Sequence, residues 1–121
     1  MATLELTADN FAETIRENDI VLIDFWADWC GPCHQFAPIY ERTSEANPDV
    51  VFGKVDTEAQ QELAGAFNIM SIPTLMIFRE NVALFAQPGV LPEVALEDLI
   101  RQTRELDMDE VRAKVAANAE S

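Results

Sequence analysis

The sequence predicts an α/β protein with a central mixed sheet of four or five strands, helices on both faces and an extra C-terminal helix. Near-continuous apolar runs at 20–27 and 50–55 are typical of parallel strands that are buried on both sides. Segments with helical periodicity separate these runs, and this alternation implies parallel pairing through right-handed crossovers. Two later apolar runs joined by a tight turn add antiparallel strands.

The first predicted elements are a helix and a buried strand. Thr7 is a suitable N-cap for the helix, and Phe11 and Ile15 share one of its faces. The strand follows at 20–27, where Asp24 is the only residue that interrupts the apolar run. We expect this strand to lie near the centre of the sheet, because its apolar residues leave neither face for solvent.

A long helix is predicted from Gly31 or Pro32 to about Ala46. Proline is favourable in the first turn of a helix, where its missing N–H costs nothing. Pro38 lies beyond the first turn and should kink the helix. The sequence Asn47-Pro48-Asp49 then ends it.

Two shorter helices are predicted in the second half of the chain. Thr57 with Gln60 has the pattern of a capping box for a helix that ends near Ala66. Leu91-Pro92 opens a later helix. One face of that helix carries the apolar residues Leu96, Leu99, Ile100 and Leu106.

A β-hairpin is predicted between these two helices. The runs 74–78 and 82–85 have the composition of strands, and Glu80-Asn81 forms the tight turn between them. The turn lacks the usual glycine, so we expect Asn81 to adopt the left-handed conformation. The hairpin adds antiparallel strands to the sheet.

Composition and charge limit the class of protein. A chain of 121 residues fits one domain, and its 49% of hydrophobic and 25% of charged residues are ordinary for a globular protein. The net charge of −14 argues against nucleic acid and anionic membrane surfaces as partners. The N-terminus lacks the pattern of a secretory signal, and no apolar run has the length of a membrane span. We therefore expect a cytoplasmic protein.

The only two cysteines lie in Cys30-Gly31-Pro32-Cys33, where the first strand meets the long helix. The first turn of a helix has unpaired backbone N–H groups and the positive end of the helix dipole, and both favour a negative sulfur. The thiolate is the nucleophilic form of cysteine, so we expect Cys30 to have a lowered pKa. Cys30 would attack a disulfide in another molecule, and Cys33 would resolve the mixed disulfide.

Other interpretations of the cysteine pair are weaker. As a structural staple, its short loop limits the stabilisation to about 2 kcal/mol. A zinc site would need a second cysteine pair or more than one histidine, so we expect no metal. Cys30 to His34 also matches the C-x-x-C-H signature of c-type haem attachment, for which distal ligands would be Met70, Met76 or Met108. Haem attachment of this kind is expected outside the cytoplasm, so we favour a redox dithiol.

Asp24 is a candidate catalytic residue because of where it lies. A carboxylate inside an apolar strand should be desolvated, which raises its pKa. A base with a pKa near neutrality suits proton transfer. The alternatives are that Asp24 points to solvent or only pairs with Lys54, and we favour the functional interpretation because Cys30 is close in sequence.

Several motifs of the chain resemble those of the thioredoxin family, in the family's order and at close to its spacing. They are Asp24-Phe25-Trp26-Ala27, Trp29-Cys30-Gly31-Pro32-Cys33, Pro38, Lys54-Val55-Asp56, Ile72-Pro73-Thr74 and Gly89. The resemblance covers roughly residues 1–106. It implies the thioredoxin fold and a general protein-disulfide reductase, a thiol-disulfide oxidoreductase that works by reversible dithiol–disulfide exchange. Its redox-active disulfide would carry the electrons without a bound cofactor.

The resemblance also implies roles for the matched positions. Cys30 resembles the attacking thiol and Cys33 the more buried resolving thiol, while Asp24 resembles the buried acid that helps to deprotonate the resolving cysteine through water. Five further positions resemble residues that support the active site: Trp29, Gly31, Pro32, Lys54 and Pro73. Gly31 would lack a side chain so that a partner chain approaches closely.

A substrate-binding patch is a further consequence of the resemblance. Pro73 resembles the family's cis-proline, and the backbone of the residue before it pairs with an extended segment of the substrate. That residue is Ile72 in this chain. We expect an exposed apolar patch formed by Trp29, Ile72, Pro73, Gly89 and Val90.

The implied partners follow from the same resemblance. A flavin-dependent thioredoxin reductase, supplied by NADPH, would re-reduce the protein, which we expect to be a monomer. The target classes include ribonucleotide reductase, peroxiredoxins and methionine sulfoxide reductases. One rival is a thiol oxidant or disulfide isomerase on the same fold, against which Pro32 between the cysteines argues. Another is a non-catalytic module that binds a partner through the apolar patch.

The chain departs from the family pattern at His34 and in its tail. The family commonly has Lys or Arg where His34 follows the second cysteine, so reactivity could depend more on pH. The alternative, which we favour, is a solvent-facing helix residue without effect. We assign 1–106 to the thioredoxin domain and 107–121 to a C-terminal helical extension. That helix would begin at Asp107 with Glu110, and its thin apolar stripe is Met108, Val111 and Val115.

Overall fold

The computed structural model describes residues 2–120, which form a five-stranded sheet with helices on both faces. The elements in chain order are β1 (Thr3–Glu5), α1 (Phe11–Glu17), β2 (Ile20–Trp26), α2 (Gly31–Ala46), β3 (Val51–Asp56), α3 (Gln61–Ala66), β4 (Thr74–Arg79), β5 (Val82–Pro88), α4 (Glu93–Glu105) and α5 (Met108–Glu120). The strand order is β1-β3-β2-β4-β5. The first three of these pair in parallel, and the β2–β4 and β4–β5 pairs are antiparallel. The predicted mixed sheet and extra C-terminal helix are confirmed.

Strand β2 supplies apolar side chains to both faces of the sheet. Its even-numbered residues Ile20 and Leu22 pack in a cluster with side chains of α2 and α4. Its odd-numbered residues Val21, Ile23 and Phe25 pack in a second cluster with side chains of α1. Successive side chains of a strand point to opposite faces, so β2 is covered on both sides as its apolar sequence predicts.

Helix α2 covers the first of these faces and carries both cysteines near its start. It begins at Gly31, has Pro32 in its first turn and continues without interruption through Pro38. The predicted kink at Pro38 stays a prediction. At the other end the backbone N–H of Asn47 donates to Ser44 O, which closes the last turn where the sequence predicts the helix to end.

Two predicted helix starts are wrong. Helix α1 begins at Phe11, and Thr7 lies in the preceding turn, where its carbonyl accepts a hydrogen bond from Phe11 N at 3.0 Å. Helix α3 begins at Gln61 and not after Thr57. Thr57 instead donates from its backbone N and its Oγ1 to Trp26 O, at 2.9 and 3.1 Å. The hydroxyl thus joins the ends of β3 and β2.

The predicted hairpin is confirmed, with one addition at its turn. Arg79 pairs with Val82, so the loop consists of Glu80 and Asn81. Both loop residues have positive φ, 51° and 67°, whereas the sequence predicts a left-handed conformation for Asn81 alone. Positive φ at both positions matches the twist of the flanking strands, which explains why a glycine-free turn still connects them.

Helix α4 packs on the sheet through the apolar face that its sequence predicts, except at its end. Leu96 and Ile100 are buried in the α2–α4 cluster. Leu106 was predicted on the same face, but it caps the helix and is 39% exposed. Arg79 Nη1 donates to the carbonyl oxygens of Thr103 and Leu106, at 2.9 Å each. The end of α4 is therefore held by a side chain of β4 rather than by burial of Leu106.

Helix α5 begins as the sequence predicts. Asp107 Oδ1 accepts hydrogen bonds from the backbone N–H groups two and three residues further on, at 3.1 and 3.2 Å. Met108 is buried, and Arg112 forms an ion pair with Glu80 of the hairpin turn. The first turns of α5 therefore pack against the body of the protein. Val115, further along the helix, is 50% exposed.

Strand β1 is the one strand that the sequence does not predict, because three residues carry no periodic signal. Leu4 lies opposite Gly53 of β3 in parallel register. Leu6 follows and is fully buried. A Cβ atom at Gly53 would lie 2.3 Å from Leu6 Cδ1 and 3.3 Å from Leu22 O. The missing side chain of Gly53 therefore makes the space that Leu6 fills.

We predict that Gly53→Ala destabilises the protein by about 1–3 kcal/mol, because the new methyl group overpacks the core against Leu6. The free energy of unfolding is measured by urea denaturation. Gly65→Ala in α3 is the matched control, since a Cβ there would meet no atom within 4 Å. That control should be neutral or slightly stabilising. Equal effects of the two substitutions would contradict the packing described for Leu6.

Candidate active site at the carboxyl end of β2

Cys30 lies at the N-cap of α2, directly after the central strand. β2 ends at Trp26, residues 27–29 form a short connection, and Cys30 has extended backbone angles of φ −90° and ψ 108°. Its Sγ accepts a hydrogen bond from the backbone N–H of Cys33 at 3.2 Å. A sulfur thus occupies the place of the oxygen in an ordinary N-cap. The first turn of α2 contains no acidic residue, so no carboxylate there opposes a negative sulfur.

Cys30 and Cys33 are joined by a disulfide bond, with their Cα atoms 5.3 Å apart. Both residues are nearly buried, with 3% and 2% of their surface exposed. They pack with Ala27, Trp26 and Ile72 in a small cluster of their own. Burial does not distinguish the two cysteines in this disulfide form, so the assignment of attacking and resolving thiols stays a prediction.

Two loops from distant parts of the chain meet beside the disulfide. The Ile72–Pro73 peptide bond is cis, as the family resemblance implies. Ile72 O lies 3.6 Å from Cys30 Sγ. Gly89 N donates to Pro73 O at 2.8 Å, and the φ of Gly89 is +104°, a conformation that favours glycine. The loop before β4 and the loop after β5 therefore flank the sulfur atoms together.

Four of the five residues expected in an exposed apolar patch are at least partly exposed, and their role in substrate binding stays a prediction. Trp29 is 70% exposed, Val90 is 36% exposed and Gly89 is also exposed, while Ile72 is partly buried. Pro73 is buried, so its expected place in an exposed patch is wrong. The carbonyl oxygen of Pro73 accepts a hydrogen bond from Gly89 N, which holds the buried proline next to the exposed Gly89.

Glu58 is a site residue that the sequence analysis missed. Trp29 Nε1 donates to Glu58 Oε1 at 2.6 Å, which fixes the indole ring beside the disulfide. Glu58 lies two residues after the end of β3, which is the parallel neighbour of β2. The carboxyl ends of parallel strands meet at one edge of a sheet, so this position was the available signal.

Asp24 is fully buried in the middle of β2, which excludes the solvent-facing alternative. Its alternation with Ile20 and Leu22 places it on the face covered by α2 and α4. Neither carboxylate oxygen has a hydrogen-bond partner among the described residues. Burial raises the pKa of Asp24 to about 7, and the charge of Lys54 opposes this rise. The carboxyl group therefore changes its protonation near neutral pH.

Two neighbours of Asp24 use their polar groups elsewhere. Lys54 lies opposite Asp24 in β3, and its Nζ is 4.8 Å from the centroid of the Trp26 ring, a cation–π contact. Tyr40 donates its hydroxyl proton to Gly53 O at 2.7 Å. Burial raises the pKa of Tyr40 well above its usual value, and the charge of Asp24 raises it further. Lys54 therefore acts on Asp24 through its charge alone, and neither neighbour donates a hydrogen bond to the carboxyl group.

His34 is exposed, but its ring does not simply face solvent. Its Nε2 lies 2.6 Å from Asp28 O, in the connection between β2 and α2. The ring therefore braces the chain just before Cys30, which the sequence analysis did not foresee. Gly31 and Pro32 are exposed beside it, and a Cβ atom at Gly31 would meet no atom of this chain within 4 Å. The space at Gly31 is thus open to a second molecule.

No group of three or more His, Cys, Asp or Glu side chains within the described residues is arranged to hold a metal ion. Within residues 2–120, each helix is too short or too polar to serve as a membrane span.

Comparison with known proteins finds a matching family model and several similar proteins. A family model described as Thioredoxin matches residues 2–102. Over 115 residues the chain is 70% identical to "Putative thioredoxin 2" of Streptomyces coelicolor, with 95% of this chain and 86% of that protein covered. The structure of a mutant thioredoxin from Halobacterium salinarum superposes with a TM-score of 0.79 and 35% identity, covering 87% of this chain and 93% of the other.

A further similar structure concerns the thiol resolving mechanism in yeast mitochondrial 1-Cys peroxiredoxin via glutathione/thioredoxin systems. It superposes with a TM-score of 0.77 and 29% identity, and covers 84% of this chain and 95% of the other. A cysteine pair at the start of a helix, beside a cis-proline on a mixed sheet, defines a thiol-disulfide oxidoreductase. The chain belongs to the thioredoxin family, and it is a protein-disulfide reductase whose redox-active group is the disulfide of Cys30 and Cys33.

We predict that Asp24→Asn stabilises the protein more at high pH than at low pH. Asp24 titrates near its ordinary value of 3.8 when unfolded and at about 7 when folded. As pH rises between these values, the unfolded chain loses the proton first, so the wild-type protein loses stability and the amide variant does not. The gain in unfolding free energy should be on the order of 4 kcal/mol larger at pH 8 than at pH 3.

Urea denaturation at pH 3, 6 and 8 gives the free energy of unfolding of both proteins. Because the difference between them is compared across pH, any destabilisation by the buried amide that does not depend on pH cancels. Asp98→Asn is the control of opposite sign, because hydrogen bonds from Arg101 and Gln102 lower the pKa of Asp98. The charged Asp98 side chain stabilises the folded protein at pH values above its pKa in the unfolded chain. Asp98→Asn should therefore give no gain in the free energy of unfolding at high pH. A gain from Asp24→Asn that does not vary with pH would contradict the raised pKa.

Proposed function

We propose that Cys30 is the attacking thiol and Cys33 the resolving thiol in the reduction of disulfides of other proteins. The observation that carries this assignment is the hydrogen bond of 3.2 Å from Cys33 N to Cys30 Sγ at the start of α2. In the reduced protein the same N–H group and the helix dipole stabilise a thiolate at Cys30. No equivalent cap acts on Cys33, which lies within the helix.

The exchange proceeds in two steps that move two electrons to the target. The Cys30 thiolate attacks one sulfur of the target disulfide, a mixed disulfide forms, and the other target sulfur leaves as a thiolate that takes up a proton. Cys33 then loses its proton and attacks Cys30 Sγ. The internal disulfide forms, and the second target sulfur leaves as a thiol. The protein ends oxidised and the target reduced.

Asp24 is the proposed acid and base for the resolving step. A group with a pKa of about 7 holds and releases a proton with little bias at neutral pH, which suits transfer from Cys33 through water. Lys54 supports this role because its charge opposes the rise that burial imposes on Asp24. Without that charge the pKa of Asp24 would be higher, so a smaller fraction of the carboxyl group would be deprotonated and able to accept a proton at neutral pH.

The substrate-binding patch receives the target beside Cys30. Trp29, Ile72, Gly89 and Val90 form its surface, and Pro73 supports it from below. The backbone at Ile72 pairs with an extended segment of the target, in the manner of strand addition. Gly31 and Pro32 form the rim of the site, and the open space at Gly31 admits the partner chain.

The protein is re-reduced by a flavin-dependent thioredoxin reductase with electrons from NADPH, and it binds no cofactor of its own. Its targets include peroxiredoxins, ribonucleotide reductase and methionine sulfoxide reductases. The similarity to the structure that concerns yeast 1-Cys peroxiredoxin supports the first of these classes. We place the protein in the cytoplasm as a monomer, with residues 1–106 as its thioredoxin domain and 107–121 as an extension. Its net charge of −14 supports the absence of nucleic-acid and membrane partners.

We predict that Cys33→Ser accumulates mixed disulfides through Cys30, because the resolving attack is lost. The reduced variant is incubated with insulin, and adducts are resolved by non-reducing electrophoresis and mapped by mass spectrometry. Cys30→Ser is the matched control and should form no comparable adducts. With NADPH and thioredoxin reductase, the wild-type protein should reduce insulin and both variants should fall to background. Adducts that form equally through Cys33 would refute the assigned order of attack.

We also predict that Cys30 in reduced Cys33→Ser titrates at lower pH than the same cysteine in the unfolded chain. The backbone N–H groups and dipole of α2 act only when the helix is formed. Iodoacetamide alkylation is followed against pH, first in buffer and then in concentrated urea. Identical midpoints in the two conditions would show that the helix start does not activate the thiol.

A further inference from the structure

Met70 has the largest exposed fraction of any large hydrophobic side chain in the described residues, 92%. It lies close to the reactive centre, two residues before Ile72, whose carbonyl oxygen is 3.6 Å from Cys30 Sγ. Exposed apolar surface marks an interaction site when it is contiguous, and Met70 lines one groove together with Trp29 and Ile72. The substrate-binding patch described above does not include it.

Two adjoining grooves meet at Met70. The first, which we name the Met70 groove, has a volume of about 380 Å³ and is lined by Trp29, Thr57, Ile69, Met70, Ser71 and Ile72. The second has a volume of about 200 Å³, shares residues 69–71 with the first and extends to Pro88 of β5. The Met70 groove includes Trp29 and Ile72, so it is continuous with the patch beside Cys30.

Neither groove is lined by a charged residue, although 25% of the residues in the chain are charged and its net charge is −14. A charged side chain of a partner would lose its hydration in the Met70 groove without meeting an opposite charge, which is unfavourable. An apolar side chain would instead remove both itself and Met70 from water. The lining therefore favours an apolar occupant.

The geometry relates this occupant to the target cysteine. The attacked sulfur must lie next to Cys30 Sγ and hence near Ile72, and two residues of chain span at most about 7 Å. In an extended segment, side chains two residues apart point to the same side. When the target cysteine points towards Cys30, the side chain two positions away therefore lies over Met70.

We infer that Met70 is a specificity-determining residue that selects target disulfides with an apolar side chain two residues from the attacked cysteine. The inference rests on the proposed attack by Cys30. A methionine adapts its shape to different apolar partners because it is unbranched and polarisable. Trp29, held by Glu58, supplies a fixed wall on the other side. Met70 thus selects a class of side chain and not one residue type.

The test compares peptides in which one cysteine is linked as a disulfide to a small thiol. The residue two positions from the cysteine is Leu in one peptide and Glu in the other, with separate pairs for the two directions along the chain. Stopped-flow kinetics gives the second-order rate constant for reduction by the wild-type protein and by Met70→Gln, which keeps the length of the side chain and removes its apolar end. Val115→Gln, on exposed surface of α5, is the matched control.

We expect the wild-type protein to reduce the Leu peptide faster than the Glu peptide in at least one direction. Met70→Gln should slow the reduction of the Leu peptide about four- to fifteenfold, as the loss of one or two buried methylene groups implies. The rate constant for reduction of the Glu peptide should change little in Met70→Gln. Met70→Leu should restore the preference for the Leu peptide. Val115→Gln should leave both rate constants unchanged. Equal rates for the two peptides, or equal slowing of both by Met70→Gln, would overturn the inference.

A small disulfide without a peptide, hydroxyethyl disulfide, separates this inference from the proposed function. This small molecule reaches Cys30 without occupying the Met70 groove. The Met70→Gln variant should therefore reduce it as fast as the wild-type protein does. If the wild-type protein reduces the small disulfide and both peptides without preference, the role of Met70 is overturned and the reductase remains. If it reduces none of them, the attack by Cys30 fails, and the inference fails with it.

Discussion

The hydrogen bond from the Cys33 backbone N–H to Cys30 Sγ connects the chemistry of this protein to its fold. It exists because α2 begins immediately beyond the central strand, so the first unpaired amides of the helix point at a sulfur that the sheet holds in place. The donor belongs to the backbone and cannot be lost without loss of the helix. The activation that we propose for the Cys30 thiol would thus be a consequence of the β2–α2 connection rather than of a charged side chain.

The same arrangement places a stability cost in the core. Asp24 is buried without a hydrogen-bond partner among the described residues, and its pKa rises to about 7 because of this burial. A hydrophobic residue at this position would suit the apolar cluster around Ile20 and Leu22 better. A carboxyl group that changes its protonation near neutral pH is useful only if a neighbouring group exchanges protons, which is the role we assign to it for Cys33. Function and stability therefore make opposite demands on one residue of β2.

The surface around the cysteines combines a rigid support with adaptable edges. Pro73 and Gly89 are joined by a backbone hydrogen bond, and the Trp29 ring is held by Glu58, so these parts are fixed before a target arrives. Met70 is free to adjust, and the grooves beside it carry no charge. A strongly acidic protein thus carries, beside Met70, two grooves whose lining residues are uncharged.

By itself the sequence determined the α/β class, the place of Cys30 at a helix start and the hairpin, because apolar periodicity and turn composition depend on neighbours in the chain. Tertiary structure decided what those local signals leave open. Thr57 carries a capping pattern, yet no helix starts there, and its hydroxyl donates to Trp26 O at the end of β2, which only the folded sheet brings to it. The pairing of Trp29 with Glu58, the burial of Pro73 and the exposure of Met70 likewise depend on segments far apart in sequence, and only the packed sheet brings those segments together.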